Sequence, residues 1–386
     1  MVFPAVGSGI MIVAGTRPEL IKIAPVVREF AVQQGHRVTL VSTGQQVDLL
    51  PGFLGLLGTK VDYDLAVMSA GQPLNTLLAR TVTALDPVIE AVGPALVVVQ
   101  GDTTSALAGA LAARMRAVPV AHIEAGLRTG DPANPFPEET NRRLISHLAA
   151  LHCAPTARNR DTLLGEGIAP GDIVVTGNPV VASLQHALQQ PCASRQVDEV
   201  LARLDGLKPI VLTTHRRESF GAPLERNLHS LKAFVAAEPD TALVVPVHLN
   251  PHVKQSVKRI LSDTDRVALI EPLDYPCFLR LVKAAWLIVS DSGGVQEEVA
   301  SLGKPLLVLR SVTERPEAIE AGVAKLTGEW PGQLAEMLGD RTALGRWIDS
   351  VKPIANPFGD ADSPARIATA MLDFLSAGAP RKIVAL

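Results

Sequence analysis

A chain of 386 residues is long for one hydrophobic core and fits two or three domains. Apolar residues make up 47% and charged residues 19%, enough to bury sheets on both faces and too apolar for extended disorder. The net charge of −3, without any basic block, argues against nucleic acid or an anionic membrane as a main partner.

Cys153, Cys192 and Cys277 are scattered and form no CxxC pair, so they read as free thiols of a reducing compartment rather than a disulfide frame or a zinc site. The opening MVFPAVGSGIMIVAG lacks a basic n-region, and its apolar run is too short to span a bilayer. A soluble cytoplasmic protein is the expectation.

Short Val- and Ile-rich runs alternate with helical stretches along the chain. Ile10–Ala14, Arg37–Val41, Ala95–Val99, Val118–Ile123 and Ile173–Thr176 read as buried strands. Glu19–Gln33, Gln72–Ala91, Thr104–Arg116 and Glu138–Ala150 read as the helices between them. The pattern starts again after Asn178-Pro179, with strands over Pro209–Thr213, Ala242–Val247, Val267–Ile270, Trp286–Ser290 and Pro305–Leu309. A last helix, Ser363–Ala377, follows the breaker-rich Asn356-Pro357-Phe358-Gly359-Asp360. Near-continuous apolar strands separated by helices imply parallel βαβ units. The predicted fold is α/β: two Rossmann-like, doubly wound parallel-sheet domains facing a central cleft. The expected boundaries are residues 1–180, 181–362 and a terminal helical segment 363–386.

In open α/β sheets ligands bind beyond the carboxyl ends of the strands, so the loops after each strand are the places to look. The first is Gly15-Thr16-Arg17-Pro18-Glu19, with Lys22 one turn into the helix. A guanidinium and an ammonium at a helix N-terminus suit a diphosphate or an acidic group, although an ordinary capped helix would look the same. The loop lacks GxGxxG, which counts against NAD or FAD. Asp291-Ser292-Gly293-Gly294 leads from a strand into a helix, so backbone N–H groups can approach a phosphate, and Ser292 adds a hydroxyl. Glu298, about one turn further, could accept both hydroxyls of a ribose. Phe278 lies near the end of another strand and reads equally as a base contact or as core.

Acids follow three strands or loops of the first half: Asp102, Glu124 and the pair Glu138-Glu139. Singly each reads as a helix cap; converging over one sheet edge, like charges raise one another's pKa and supply a donor and an acceptor of protons. His215, beside Arg216 and Arg217, reads as facing a leaving diphosphate. His248 sits similarly after the next strand, where a structural role competes.

The ordered strings GTRPELIKIAPVV, QGDTTSALAGALAA, HIEAGLRTGD, PFPEETNRRLISHLA, THRRESFG, DSGGVQEE and GKPLLVLRSVTERPEA closely resemble the non-hydrolysing bacterial UDP-N-acetylglucosamine 2-epimerases, which have a glycosyltransferase-B-like fold. The resemblance implies Asp102, Glu124 and Glu138 as acid/base carboxylates, with Lys22 and His215 in the catalytic set. It implies UDP held by Arg17, Ser292, Gly293, Gly294 and Glu298, Phe278 near the uracil, and Arg315 as a further contact. The partners it implies are UDP-GlcNAc and UDP-ManNAc, with a homodimer and no metal or redox cofactor. If UDP leaves first, C1 becomes oxocarbenium-like and C2–H becomes acidic; re-protonation on the other face and return of UDP invert C2. A glycosyltransferase or a hydrolysing relative is the alternative on the same fold.

One string departs from the family. Where relatives carry Gln-His-Arg after the second strand, this chain has Gln45-Gln46-Val47. In relatives this region adjoins a second UDP-GlcNAc that activates the enzyme, so the change at Gln45, Gln46 and Val47 bears on allosteric control and sugar preference.

Overall fold

The computed structural model describes residues 9–32, 38–46, 60–69, 71–214 and 220–377. They form two compact units: residues up to Ser183 together with those from Phe358 onward, and Leu184–Pro357.

In the first unit the elements run β1 (Ile10–Ala14), α1 (Arg17–Val32), β2 (Val38–Ser42), β3 (Tyr63–Asp64), α2 (Leu74–Val92), β4 (Leu96–Gln100), α3 (Thr104–Met115), β5 (Val120–Ile123), α4 (Glu138–Leu148), β6 (Leu151–Ala154), α5 (Ala157–Gly165), β7 (Ile173–Val175) and α6 (Val180–Leu188), whose last residues enter the second unit. The strand order is β3-β2-β1-β4-β5-β6-β7 and every pairing is parallel. Parallel strands need crossovers, and helices on both faces leave no side of a strand wet. Leu96, Val97, Val98 and Val99 of β4 are accordingly all fully buried.

The second unit continues with α7 (Arg195–Arg203), β8 (Lys208–Thr213), α8 (Ala222–Ala237), β9 (Thr241–Pro246), α9 (Pro251–Leu261), β10 (Val267–Ile270), α10 (Tyr275–Ala284), β11 (Leu287–Ser290), α11 (Gly293–Leu302), β12 (Leu306–Val308), α12 (Pro316–Glu320), β13 (Ala324–Leu326), α13 (Gln333–Gly339) and α14 (Arg341–Ser350). Its sheet, ordered β10-β9-β8-β11-β12-β13, is also parallel throughout. Both sheets reverse direction of growth beside their first strand. That gives each a switch point, β1/β4 in one and β8/β11 in the other, where the two flanking loops part and leave a crevice. The final helix α15 (Ser363–Ser376) packs on α1 within the first unit, and Arg366 Nε donates to Thr176 O at 2.9 Å.

Among the described residues no helix is long and apolar enough to cross a membrane. The thiol expectation holds for Cys153, which is free and buried, but not for the other two: Cys192 and Cys277 are joined in a disulfide. They stand 85 residues apart in sequence, so no local spacing marks them as partners; packing of α7 on α10 brings their Cα atoms to 4.8 Å.

The first sheet carries two buried histidines. His122 on β5 and His152 on β6 are cross-strand neighbours with almost no exposure. Burial lowers the pKa of His122 to about 4 and that of His152 to about 3. Both imidazoles are therefore neutral in the folded protein at neutral pH, and His122 Nε2 lies 2.7 Å from Gly101 O, just before Asp102. The unfolded chain would protonate both near pH 6.5. Their contribution is fully present above that pH and is lost as pH falls toward the folded values. Stability should drop by about 2 kcal/mol per imidazole between pH 6.5 and 5. Urea titrations should show His152→Gln losing less than the parent over that interval, a comparison in which all other titrating groups cancel.

Gly126, two residues beyond Glu124, has φ +91°, and a Cβ there would sit 2.3 Å from Asn159 O. Gly126→Ala should cost at least about 2 kcal/mol, from positive φ and steric overlap together. A lowered urea midpoint at unchanged m-value would report it.

Candidate active site

The switch point of the first sheet collects the acids. Glu124 follows β5 with φ +67°, a left-handed conformation that costs a non-glycine residue roughly 1–3 kcal/mol and needs support from its surroundings. Two partners supply it. Lys22 Nζ, one turn into α1, lies 2.6 Å from Glu124 Oε1, and Gln100 at the end of β4 donates to Glu124 Oε2. Lys22 and Glu124 are both buried, so each charge depends on the other.

Asp102 follows β4 and pairs with Arg142 of α4, while Asn141 Nδ2 donates to Asp102 O at 2.9 Å. Arg142 is also 3.0 Å from Glu139, whose carboxylate accepts from Thr129 N at 3.1 Å. Glu138, beside it, opens α4 and is half-buried. Of the two adjacent glutamates, Glu139 is the fully buried one.

The Gln45-Gln46 pair bridges helix starts. Gln46 Oε1 accepts from Arg17 N at 3.0 Å, and Gln45 Oε1 accepts from Ser105 Oγ at 2.6 Å. Both are therefore tied to the β1/β4 switch point through α1 and α3. Val47 lies outside the described residues, as does the whole segment 215–219 with His215, Arg216 and Arg217.

In the second unit, Asp291 and Ser292 follow β11, and Gly293 and Gly294 open α11. A helix N-terminus presents unpaired N–H groups and a positive dipole end, the elements of a phosphate site. Arg315 supplies a cation beside it: a Cβ on Gly293 would come within 2.6 Å of Arg315 Nη1. That close approach explains the glycine. Arg315 Nε donates to Glu297 Oε1 at 2.6 Å, its Nη1 to Glu314, and Glu314 in turn accepts from Arg310 Nη1 at 2.7 Å. Glu297 and Glu298 are both buried, not a surface acidic pair. Tyr275 OH donates to Glu298 Oε1 at 2.7 Å. Phe278 lies half-buried on α10. His248 is exposed after β9, and its Nδ1 accepts from Asn250 N at 3.1 Å.

One unit thus carries a glycine-opened helix N-terminus beside Arg315, and the other carries acids paired with cations. Residues 28–372 match the family model described as UDP-N-acetylglucosamine 2-epimerase. The chain belongs to this family. It is 41% identical over 367 residues to the UDP-N-acetylglucosamine 2-epimerase of Escherichia coli K12, covering 94% of this chain and 98% of that protein. It is 44% identical over 371 residues to a probable UDP-N-acetylglucosamine 2-epimerase of Ralstonia solanacearum, with the same coverage, 94% and 98%. Among solved structures it resembles the Neisseria meningitidis UDP-GlcNAc 2-epimerase bound to UDP-GlcNAc, with TM-score 0.89, 37% identity, and 95% and 100% of the two chains covered. The Methanocaldococcus jannaschii enzyme in complex with UDP-GlcNAc and UDP matches with TM-score 0.82 at 31% identity over 96% and 99% of the two chains.

Within this epimerase-family chain, sequence reasoning missed the residues that hold the acids and the cation in place. Arg142 and Glu297 lie inside helices, Tyr275 at a helix start, Gln100 at a strand end and Glu314 in the loop before α12, and no local spacing names the partner each one reaches. Charge complementarity was the only available hint: Arg142 lies on the same predicted helix as Glu138, and Glu314 adjoins Arg315.

The Lys22–Glu124 pair gives a direct test. Lys22→Met removes the ammonium 2.6 Å from the buried Glu124 carboxylate, which should cost about 3–5 kcal/mol at pH 7. The deficit should shrink at pH 5, where a carboxyl group freed of its cation can take up a proton. Paired urea titrations at the two pH values measure the difference.

Proposed function

We propose that this protein interconverts UDP-GlcNAc and UDP-ManNAc by eliminating UDP to a 2-acetamidoglucal and adding it back with inversion at C2. The observation that supports this best is the separation of chemistries described above. A helix N-terminus flanked by Arg315 suits a departing diphosphate, and Glu298 suits the ribose. Asp102, just after β4, and Glu124 and Glu138, at the two ends of the β5–α4 connection, are assigned as proton-transfer groups. The family membership and the UDP-GlcNAc in the Neisseria structure agree with it.

Each residue has a definite task in this reading. Arg17, Arg315, Ser292 and the amides of Gly293 and Gly294 stabilise the negative charge that grows on the diphosphate as C1–O breaks. Glu298 accepts the ribose hydroxyls and Phe278 packs on the uracil. With UDP departing, electron demand at C1 makes C2–H removable by a carboxylate, and a second acid on the other face returns a proton. Asp102, Glu124 and Glu138 share these two tasks, and Lys22 keeps Glu124 ionised. His215 is assigned to the leaving diphosphate and His248 to the nucleotide. Activation by a second UDP-GlcNAc near Gln45 and Gln46, and a homodimer, belong to the same proposal.

Incubation of UDP-GlcNAc in D2O should place deuterium at C2 and yield UDP-ManNAc, followed by proton NMR. Asp102→Asn should lower the exchange rate by about 10²–10⁴-fold, the usual contribution of one acid/base group. Net release of UDP to water or to an acceptor, without deuterium at C2, would instead identify a hydrolysing enzyme or a glycosyltransferase.

A further inference from the structure

Glu19 is a buried acid that the proposed reaction does not use. It sits in the first turn of α1 with 1% exposure. Its Oε2 accepts from Gly15 N at 3.1 Å and from Thr16 Oγ at 2.7 Å, and its Oε1 accepts from Thr103 Oγ at 2.9 Å. Thr103 is the residue after Asp102, and it caps α3 by accepting from Ala106 N at 3.0 Å. One carboxylate therefore joins the loop after β1 to the loop after β4 across the switch point. The helix it anchors carries Lys22, the partner of Glu124, and the loop it anchors carries Asp102, the partner of Arg142.

A helix cap needs neither this burial nor a second loop. An acid in the first turn can interact with the helix N-terminus while remaining in water. Here the carboxylate is removed from water and made acceptor for donors from both sides, an arrangement that favours the ionised form against the cost of desolvation. We propose that Glu19 is a positioning residue of the C2 chemistry: its ionised carboxylate fixes the Asp102 loop against the Lys22 helix, so that the acids these elements carry keep their relative placement. This inference rests on the epimerase reading above.

The charge state of this group falls in a useful range. Burial, opposed by the hydrogen bonds from Thr16, Thr103 and Gly15, pushes its pKa up to about 7. The charged groups on the elements packed around it are Arg17 and Lys22 on its own helix, Asp102 and its partner Arg142 on the α3 side, and Glu124 beyond Lys22. Among the described residues, the β2 side carries no charged group and includes the neutral Thr43, Gln45 and Gln46. Protonation turns one carboxylate oxygen from acceptor into donor, so the three-donor arrangement is complete only when Glu19 is ionised. Turnover should consequently lose one component as pH falls through the neutral range, and a variant that cannot ionise should lack that component.

The experiment measures C2 deuterium exchange, as kcat and KM, from about pH 5.5 to 8.5 for the parent, Glu19→Gln and Thr16→Val. Glu19→Gln keeps the shape but has one acceptor oxygen in place of two. It should lower kcat by about tenfold or more, change KM by less than about threefold, and remove the neutral-range acid limb. Thr16→Val removes one donor to the carboxylate, a milder change that tests the same link if Glu19→Gln does not fold. It should move that limb to higher pH, because the ionised form loses a hydrogen bond. Parent-like kcat with the limb intact in Glu19→Gln would overturn the proposal. So would a limb unmoved in Thr16→Val, or an equal loss of UDP affinity and rate, which marks a purely structural group. Absence of exchange in the parent enzyme is a separate result, seen before any variant is compared, and it would overturn the epimerase reading itself.

Discussion

Parallel strand pairing is the constraint from which the rest follows. When all strands of a sheet run the same way, every carboxyl end opens on one edge, and residues distant in sequence become neighbours there. Lys22 on α1 and Asp102 and Glu124 in the loops after β4 and β5 are distant in sequence, yet Lys22 meets Glu124 at 2.6 Å and Asp102 meets Arg142 of α4. The second sheet, built in the same order about its own first strand, does likewise for Asp291, the Gly293-Gly294 turn and the Tyr275–Glu298 contact. Its buried carboxylates Glu297 and Glu314 bond Arg315, and Glu298 accepts from Tyr275.

Concentrating charge at a sheet edge has an electrostatic cost that the surrounding residues offset. A buried carboxylate without a partner takes up a proton and ceases to be a base. Glu124 has Lys22 and Gln100, Asp102 has Arg142, and Glu297 and Glu314 brace Arg315 from two sides. These pairings add little net stability compared with apolar replacements; what they supply is fixed geometry and a fixed charge state. Glu19 and the His122–His152 pair extend the same logic one layer further from the reacting atoms, through Thr103 and Gly101 on either side of Asp102.

Much of this was legible in the sequence, for identifiable reasons. Strands buried on both faces leave continuous apolar runs, so β1 and β10 fall on the predicted residues and most others within two. Three strands escaped. Tyr63–Asp64 is a two-residue exposed edge, Leu151–Ala154 is interrupted by the buried His152, and Ala324–Leu326 is too short to show a pattern. The candidate site was legible where a polar residue follows a strand directly, as at Asp102, Glu124 and Ser292. It was illegible where a side chain acts across the fold: Arg142 reaching Asp102, Tyr275 reaching Glu298, and Cys192 reaching Cys277 depend on tertiary contacts that no local spacing encodes. Glu19 lay inside a motif that was read for its neighbours Arg17 and Lys22, and only its burial reveals that it faces inward.

The central claim is a division of labour: one sheet edge holds the nucleotide and the other moves protons. The most direct test is the UDP affinity of the full chain, measured by titration calorimetry for Arg315→Lys and Asp102→Asn. Replacing the guanidinium beside the Gly293-Gly294 turn should weaken UDP binding by about tenfold or more, whereas Asp102→Asn should leave it within about twofold of the parent. Unchanged affinity in Arg315→Lys together with a large loss in Asp102→Asn would contradict the account.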